Sequence, residues 1–229
     1  MKLLNQASIV MMVCNEEYWI ELALKPVLEL DLPLYIADCA STDKTPDIIK
    51  STVSSYSDVY YERYKSLTPT ENGMIRAHLA QKCQTPWILQ IDGDELWSKD
   101  KLIEVLNTEI PDDIDTGFVH VHNIIYDKGF VLADGISQHR LHRRDAHWHG
   151  EYPFESTSDF NGKKFYFPNG PHAYHTRYLA RSSRDAETFM RREKQSYFDP
   201  QARALNEPID LFGKVGIPTN YNPYKESKE

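Results

Sequence analysis

Residues 87–95 read Trp-Ile-Leu-Gln-Ile-Asp-Gly-Asp-Glu, an apolar run of strand length that stops at three carboxylates set around one glycine. Such a run needs both of its faces covered, so it belongs inside a sheet rather than at a surface. Its end has the opposite need. Asp92, Asp94 and Glu95 cannot be buried without a counter-charge. A divalent cation held by hard oxygen ligands is the natural partner. Gly93 is expected to let the backbone turn sharply, so that Asp92 and Asp94 approach one point. The stretch is therefore read as a strand end holding Mg²⁺ or Mn²⁺ for a diphosphate. As a bare motif it also fits a polar turn, since Asp-Gly is common turn chemistry.

The segments upstream repeat the same design. Ser8 to Val13 is an apolar strand that ends in Cys14-Asn15-Glu16-Glu17. Helical spacing follows at Trp19, Leu22, Ala23 and Val27, with Asn15 as expected N-cap, the glutamates in the first turn and Pro26 shortening the helix. A second strand, Leu34 to Ala37, ends at Asp38. Thr45 and Pro46 then read as N-cap and first residue of a helix carrying Ile48, Ile49 and Val53. A third strand is expected at Val59 to Arg63. Asn72-Gly73 is expected to open a helix through Met74, Ala77, Leu79, Ala80 and Cys83 that leads into the Trp87 strand. Strands alternating with helices predict an α/β fold with a mostly parallel sheet and helices on both faces. Ligands of such sheets sit beyond the carboxyl ends of the strands. Asn15 to Glu17, Asp38 and Asp92 to Asp94 would all lie there.

The chemistry of that edge narrows the ligand. There is no G-x-G-x-x-G after the first strand and no G-x-x-x-x-G-K-[ST] anywhere. Carboxylates, which only accept hydrogen bonds, suit the N–H edge of a base such as uracil. A third acidic end with a metal suits a diphosphate. The order describes a nucleotide-diphosphate donor.

Composition bounds the rest. The 229 residues suffice for one sizeable core, and a net charge of −8 argues against nucleic acid as a partner. No apolar run reaches the length of a membrane span, and the start shows no apolar leader. Cys14, Cys39 and Cys83 form no C-x-x-C, and all three are expected as buried free thiols in a reducing cytoplasm.

Three stretches together carry a resemblance: Val13-Cys14-Asn15-Glu16-Glu17, Ile36 to Thr45 (Ile-Ala-Asp-Cys-Ala-Ser-Thr-Asp-Lys-Thr), and Gln90-Ile91-Asp92-Gly93-Asp94-Glu95. The chain resembles family 2 glycosyltransferases of the GT-A fold, strongly over residues 8–97 and more loosely over 115–178. Ala40 stands where the family usually has glycine. The resemblance implies a Rossmann-like central sheet plus a small antiparallel sheet on the acceptor side. It also implies a catalytic domain over residues 1–198, made of a nucleotide-binding half (1–97), an acceptor half (98–178) and a helix (179–198), with 199–229 as an extension. Glu16 or Glu17 and Asp38 would contact base and ribose, with the main chain of Val13 and Asn15 beside the base. Ser41 and Asp43 would organise the second loop, and Arg76 would face the donor. Asp92, next to Gly93, would touch ribose or sugar hydroxyls, and Asp94 would bind the metal, Mn²⁺ or Mg²⁺. The implied reaction is inverting transfer of a hexose from a UDP-sugar, favoured over GDP by family habit, to a hydroxyl of a glycan or similar acceptor.

The second half must then supply a general base and an acceptor surface. Gly117 to Tyr126 reads as a strand, turning at Asp127-Lys128-Gly129 into Phe130 to Leu132, with a further strand at Gln138 to Arg144. His147-Trp148-His149-Gly150-Glu151-Tyr152-Pro153-Phe154-Glu155 resembles the family stretch in which W-x-G precedes an H-E pair. Glu155 is the first choice for the base and Glu151 the second. Pro171 to Thr176 resembles a later H-Y region whose histidine completes the metal shell. His172 or His175 qualifies, and His175 is favoured because a strand from Ala173 to Arg177 would fix its place. A zinc site among His120, His122, His147 and His149 is disfavoured, since no cysteine accompanies them. Arg140, Arg143 and Arg144 are candidates for holding the diphosphate or an anionic acceptor, or form a solvated basic face. The arginine-rich stretch Leu179 to Phe198, with Arg181 and Arg184, is expected as a helix over the site or in peripheral contact with a membrane. Two alternatives stand beside the transferase reading: a nucleotidyltransferase, and a non-catalytic nucleotide-sugar or carbohydrate binder.

Overall fold

The computed structural model describes residues 2–65, 69–126, 130–146, 162–176, 179 and 181–183, with side chains left out at 69–72, 125–126 and 130–134. Its elements follow the alternation read above: β1 (Ala7–Val13), α1 (Ile20–Leu28), β2 (Leu34–Cys39), α2 (Thr45–Val53), β3 (Val59–Tyr64), α3 (Pro69–Lys82) and β4 (Trp87–Asp92). Then come β5 (Glu95–Trp97), α4 (Lys99–Asn107), β6 (Thr116–Tyr126), β7 (Phe130–Arg143), β8 (Lys164–Tyr166) and β9 (Ala173–His175).

The strands form one sheet in the order β3-β2-β1-β4-β7-β6-β9-β5, with β8 beside β6. β1 to β4 are mutually parallel. β7 joins β4 antiparallel and pairs antiparallel with β6. The antiparallel strands expected on the acceptor side are thus continuous with the parallel part. The strands expected at 130–132 and 138–144 are one 14-residue strand.

The period-two pattern of β1 sorts the core. Ile9, Met11 and Val13 face a layer built with Trp19, Leu24, Ile49, Leu102 and Leu106 of α1, α2 and α4. Val10 and Met12 face Ile75, Leu79 and Ala80 of α3, and Cys83 just after it, on the other side. Helices therefore cover both faces, and burial of each large side chain stabilises by about 1.5–3 kcal/mol. Trp19, Trp87 and Trp97 are fully buried.

Several local expectations are corrected. Asn15 is not the N-cap of α1. It adopts a left-handed φ of 54° and turns its side chain to Thr42 N, while Trp19 occupies the cap position. Thr45 is already helical, with Lys44 as the N-cap, and its hydroxyl accepts from Glu16 N instead of capping α2. α3 starts before Asn72 and runs through Gly73. Cys39 and Cys83 are buried, whereas Cys14, one residue past β1, is exposed. Among the described residues, no helix is long and apolar enough to cross a membrane.

Candidate active site

The parallel register sets the ends of β1, β2 and β4 side by side: Val13 lies opposite Asp38, and Met12 opposite Asp92. The loops that follow β1 and β2 are interlocked. Asn15 N donates to Ser41 Oγ (2.9 Å), Glu16 N to Thr45 Oγ1 (2.8 Å) and Glu17 N to Asp43 Oδ2 (3.2 Å). In return Thr42 N donates to Asn15 Oδ1 (2.8 Å) and Lys44 N to Glu17 Oε2 (3.1 Å). Each polar side chain of one loop thus satisfies a backbone group of the other.

Asp38 is fully buried beneath this pair of loops. Its Oδ1 accepts from Ser41 N (2.9 Å), and its Oδ2 accepts from Tyr61 Oη (3.2 Å) and Arg63 Nε (3.2 Å). Here the carboxylate expected at base and ribose holds its own loop. Val13 is a core residue whose side chain packs against Gly93.

Gly93 is required for a different reason from the expected turn. Its N–H donates to Met12 O (2.9 Å), so β4 ends tight against β1. A Cβ at this position would overlap Val13 Cγ1 and lie 3.0 Å from Val13 Cβ.

Asp92 and Asp94 diverge rather than meeting at one point. Asp92 Oδ1 pairs with Arg76 Nη2 of α3 (2.7 Å), and its Oδ2 with Arg140 Nη2 of β7 (2.9 Å). Arg140 also grips Glu95, which is fully buried. With its amide oxygen toward the guanidiniums, Gln90 accepts from Arg140 Nη1 (2.9 Å) and from Arg76 Nη1. Asp94 Oδ2 accepts instead from His175 Nε2 (3.0 Å) and pairs with Arg181. Arg181 Nη1 reaches Glu16 Oε1 as well (2.6 Å). The main chain of Asp94 is fixed by Thr176, whose N and Oγ1 both donate to Asp94 O (2.9 and 3.2 Å).

Arginine therefore supplies the counter-charge that the sequence reading assigned to a metal alone. Burial opposes ionisation of Asp92 and Asp94. Arg76 and Arg140 outweigh it at Asp92, and His175 and Arg181 at Asp94, so both pKa values lie below the usual carboxylate range. At Glu95 burial prevails over Arg140, and the pKa is raised. Arg140 is pushed upward: burial opposes its charge, but Glu95 and Asp92 more than offset this.

The two histidine candidates separate cleanly. His172 Nδ1 accepts from His120 N (2.9 Å), which leaves Nε2–H to donate to Pro168 O (2.9 Å). Both of its nitrogens serve the backbone, and only His175 stands at Asp94.

Arg144 is not brought to the crevice. β7 runs antiparallel to β4, so Arg143 pairs opposite Trp87 and Arg144 contacts Pro86 O and Cys83 O, at the amino end of β4. Glu151 and Glu155 lie outside the described residues, as do Trp148, His149 and residues 184–198.

In the sequence Arg181 reads only as part of an arginine-rich helix over the site or at a membrane, and Arg140 as a candidate for the diphosphate, an anionic acceptor or a solvated basic face, not as the partner of Asp92 and Glu95. The segment 181–183 completes the edge. Tyr18 N donates to Arg181 O (3.1 Å), Ser182 Oγ to Asp43 Oδ2 (2.6 Å) and Ser183 N to Glu17 Oε1 (2.6 Å). Glu17 is buried enough to oppose its charge, but the Ser183 and Lys44 contacts prevail and lower its pKa.

The sequence profile of glycosyl transferase family 2 matches residues 8–182. No curated protein sequence matches the chain. Among solved structures, TarS of S. aureus superposes with a TM-score of 0.52 at 12% identity, over 75% of this chain and 36% of TarS. TarS 1–349 of S. aureus in complex with UDP gives 0.51 at 12% identity, over 74% of this chain and 60% of that one. The chain thus spans about three-fifths of the TarS fragment. At such identity the likeness establishes a shared fold.

Proposed function

The chain belongs to glycosyl transferase family 2; on that premise we propose that it is a glycosyltransferase that moves a hexose, with inversion, from a UDP-sugar to an acceptor hydroxyl. Mn²⁺ or Mg²⁺ is proposed to bind at Asp94 and His175. One observation carries this reading: the ends of β1, β2 and β4 meet at one edge, and there Asp94 Oδ2 stands 3.0 Å from His175 Nε2. Two ligands of an octahedral ion with bonds of about 2.1 Å lie about 3 Å apart, so the pair fits neighbouring coordination positions. Among the described residues no third histidine, cysteine or carboxylate joins them to hold an ion. That donor set suits a cation completed by substrate phosphates and water. UDP is bound in the crystal of the TarS fragment, and a uridine nucleotide is the one we propose for this chain.

When bound, the cation would neutralise charge developing on the departing diphosphate. The residues of the chain do the rest. Arg76 and Arg140 each hold one oxygen of Asp92, and contact of Asp92 with ribose or sugar hydroxyls is part of the proposal. Asn15, Glu16, Glu17, Ser41 and Asp43 shape the base end through their interlocked loops. Glu155, or Glu151 in second place, is proposed to take the proton of the acceptor hydroxyl as that oxygen attacks the anomeric carbon opposite the leaving diphosphate.

The test is UDP affinity measured with and without Mn²⁺. The wild-type protein is expected to bind UDP at least tenfold more tightly with Mn²⁺, and Asp94→Asn to lose that increment. Equal Mn²⁺ dependence in Asp94→Asn would remove the metal from this site.

A further inference from the structure

We infer that Arg181 and the divalent cation compete for Asp94, and that the diphosphate of the donor resolves the competition by drawing the guanidinium to itself. This rests on the metal and donor reading above and adds a positioning residue to it. The guanidinium of Arg181 lies on the same Asp94 oxygen that faces His175, and it also contacts Glu16, 2.6 Å away. A cation entering at that oxygen would stand a few ångströms from a charge that does not titrate away. Arg181 is nearly buried, so solvent screens the repulsion poorly. One of the two must leave Asp94.

The surroundings make the guanidinium the part that moves. The segment 181–183 is fixed by Tyr18 N on Arg181 O, by Asp43 on the Ser182 hydroxyl and by Glu17 on Ser183 N. The Arg181 side chain, however, spans from the Glu16 loop to Asp94, across the region between the base end and the metal end. A diphosphate bridging those ends offers it charge-assisted, bidentate hydrogen bonds. Glu16 keeps a partner carboxylate at hand while the Asp94 contact opens. Donor and cation then favour each other through one side chain, and by linkage each raises the affinity of the other by the same factor. Without Arg181, Asp94 is open to the cation from the start and that mutual factor shrinks.

The experiment is Mn²⁺ binding to the full chain, followed by loss of the free-ion paramagnetic resonance signal, with and without UDP. Arg181→Gln is expected to bind Mn²⁺ at least tenfold more tightly than wild type in the absence of UDP. UDP should then raise its Mn²⁺ affinity no more than about threefold, against tenfold or more in wild type. Arg181→Lys, which keeps a charge but lacks the planar fork for a bidentate phosphate contact, should fall between and serves if the glutamine variant does not fold. Unchanged or weaker Mn²⁺ binding without UDP in both variants overturns the inference, as does a gain that persists in Arg181→Gln/Asp94→Asn. If those variants show no gain while Asp94→Asn still abolishes UDP-dependent Mn²⁺ binding, the inference fails and the proposed function stands.

Discussion

Ala40 shows what a single residue contributes to this site. It stands where the family usually has glycine, and it adopts φ 61°, the left-handed region that a Cβ disfavours by about 1–2 kcal/mol. The conformation persists because the residues on either side are held. Cys39 ends β2 opposite Tyr64, and Ser41 N is fixed by Asp38 Oδ1. Replacing Ala40 by glycine relieves the strain but adds freedom to the unfolded chain, which offsets part of the gain. Ala40→Gly is therefore expected to stabilise the fold by about 0.5–1 kcal/mol. A urea titration measures this, and a lower midpoint at unchanged slope would refute it. The departure from the family pattern was legible in the sequence. Its backbone consequence needed φ.

At the scale of elements, the loops after β1 and β2 are best understood as one unit. The sequence shows each as a polar stretch after an apolar strand, and their shared edge follows from parallel pairing. The exchange of hydrogen bonds between them was not legible, because it depends on side chains 26 to 29 residues apart. This is why capping expectations at Asn15 and Thr45 failed: local rules assign both side chains to their own helices, and the tertiary arrangement uses them across the loops. The contact from Glu16 N to Thr45 Oγ1 is buried. Thr45→Val keeps the shape but leaves that N–H unsatisfied, at a cost of about 1–3 kcal/mol. The same change should loosen the Glu16 and Glu17 backbone and weaken UDP binding. A Thr45→Val protein with wild-type melting and wild-type UDP affinity would show that the loops are held by other contacts. Thr45→Ser, which restores the acceptor, should recover most of both.

Over the whole molecule, the donor half was readable and the return of the chain was not. β1, β2 and β4 announce themselves by apolar runs ending in acids, so their shared edge and the position of Asp94 follow from topology rules. Arg140 and Arg181 reach the site only because β7 adds antiparallel to β4 and the chain comes back after β9. No local pattern encodes that register, and a charged residue on a strand reads equally well as surface. The same register buries His142 and half-buries His139 on β7. Burial disfavours their charged forms, helped by Arg140 at His139 and by His139 at His142, and their pKa values fall to about 4 and about 3. The unfolded chain titrates its histidines near the ordinary value of about 6.5. Between that value and the folded ones, the unfolded state binds more protons, so stability is full above pH 6.5 and declines as the pH falls. Each such histidine contributes a slope of up to about 1.4 kcal/mol per pH unit in that window. Asp92 and Asp94, also lowered in pKa, act in the same direction but only below the ordinary carboxylate range, near pH 4. Glu95, raised in pKa by burial, acts in the opposite direction between pH 6.5 and 4.5, so His142 is isolated by comparing a variant with the wild type across that interval. Urea midpoints taken across it should fall steadily in the wild type and more shallowly in His142→Gln. Parallel curves for the two proteins would mean that His142 is not held neutral by the fold.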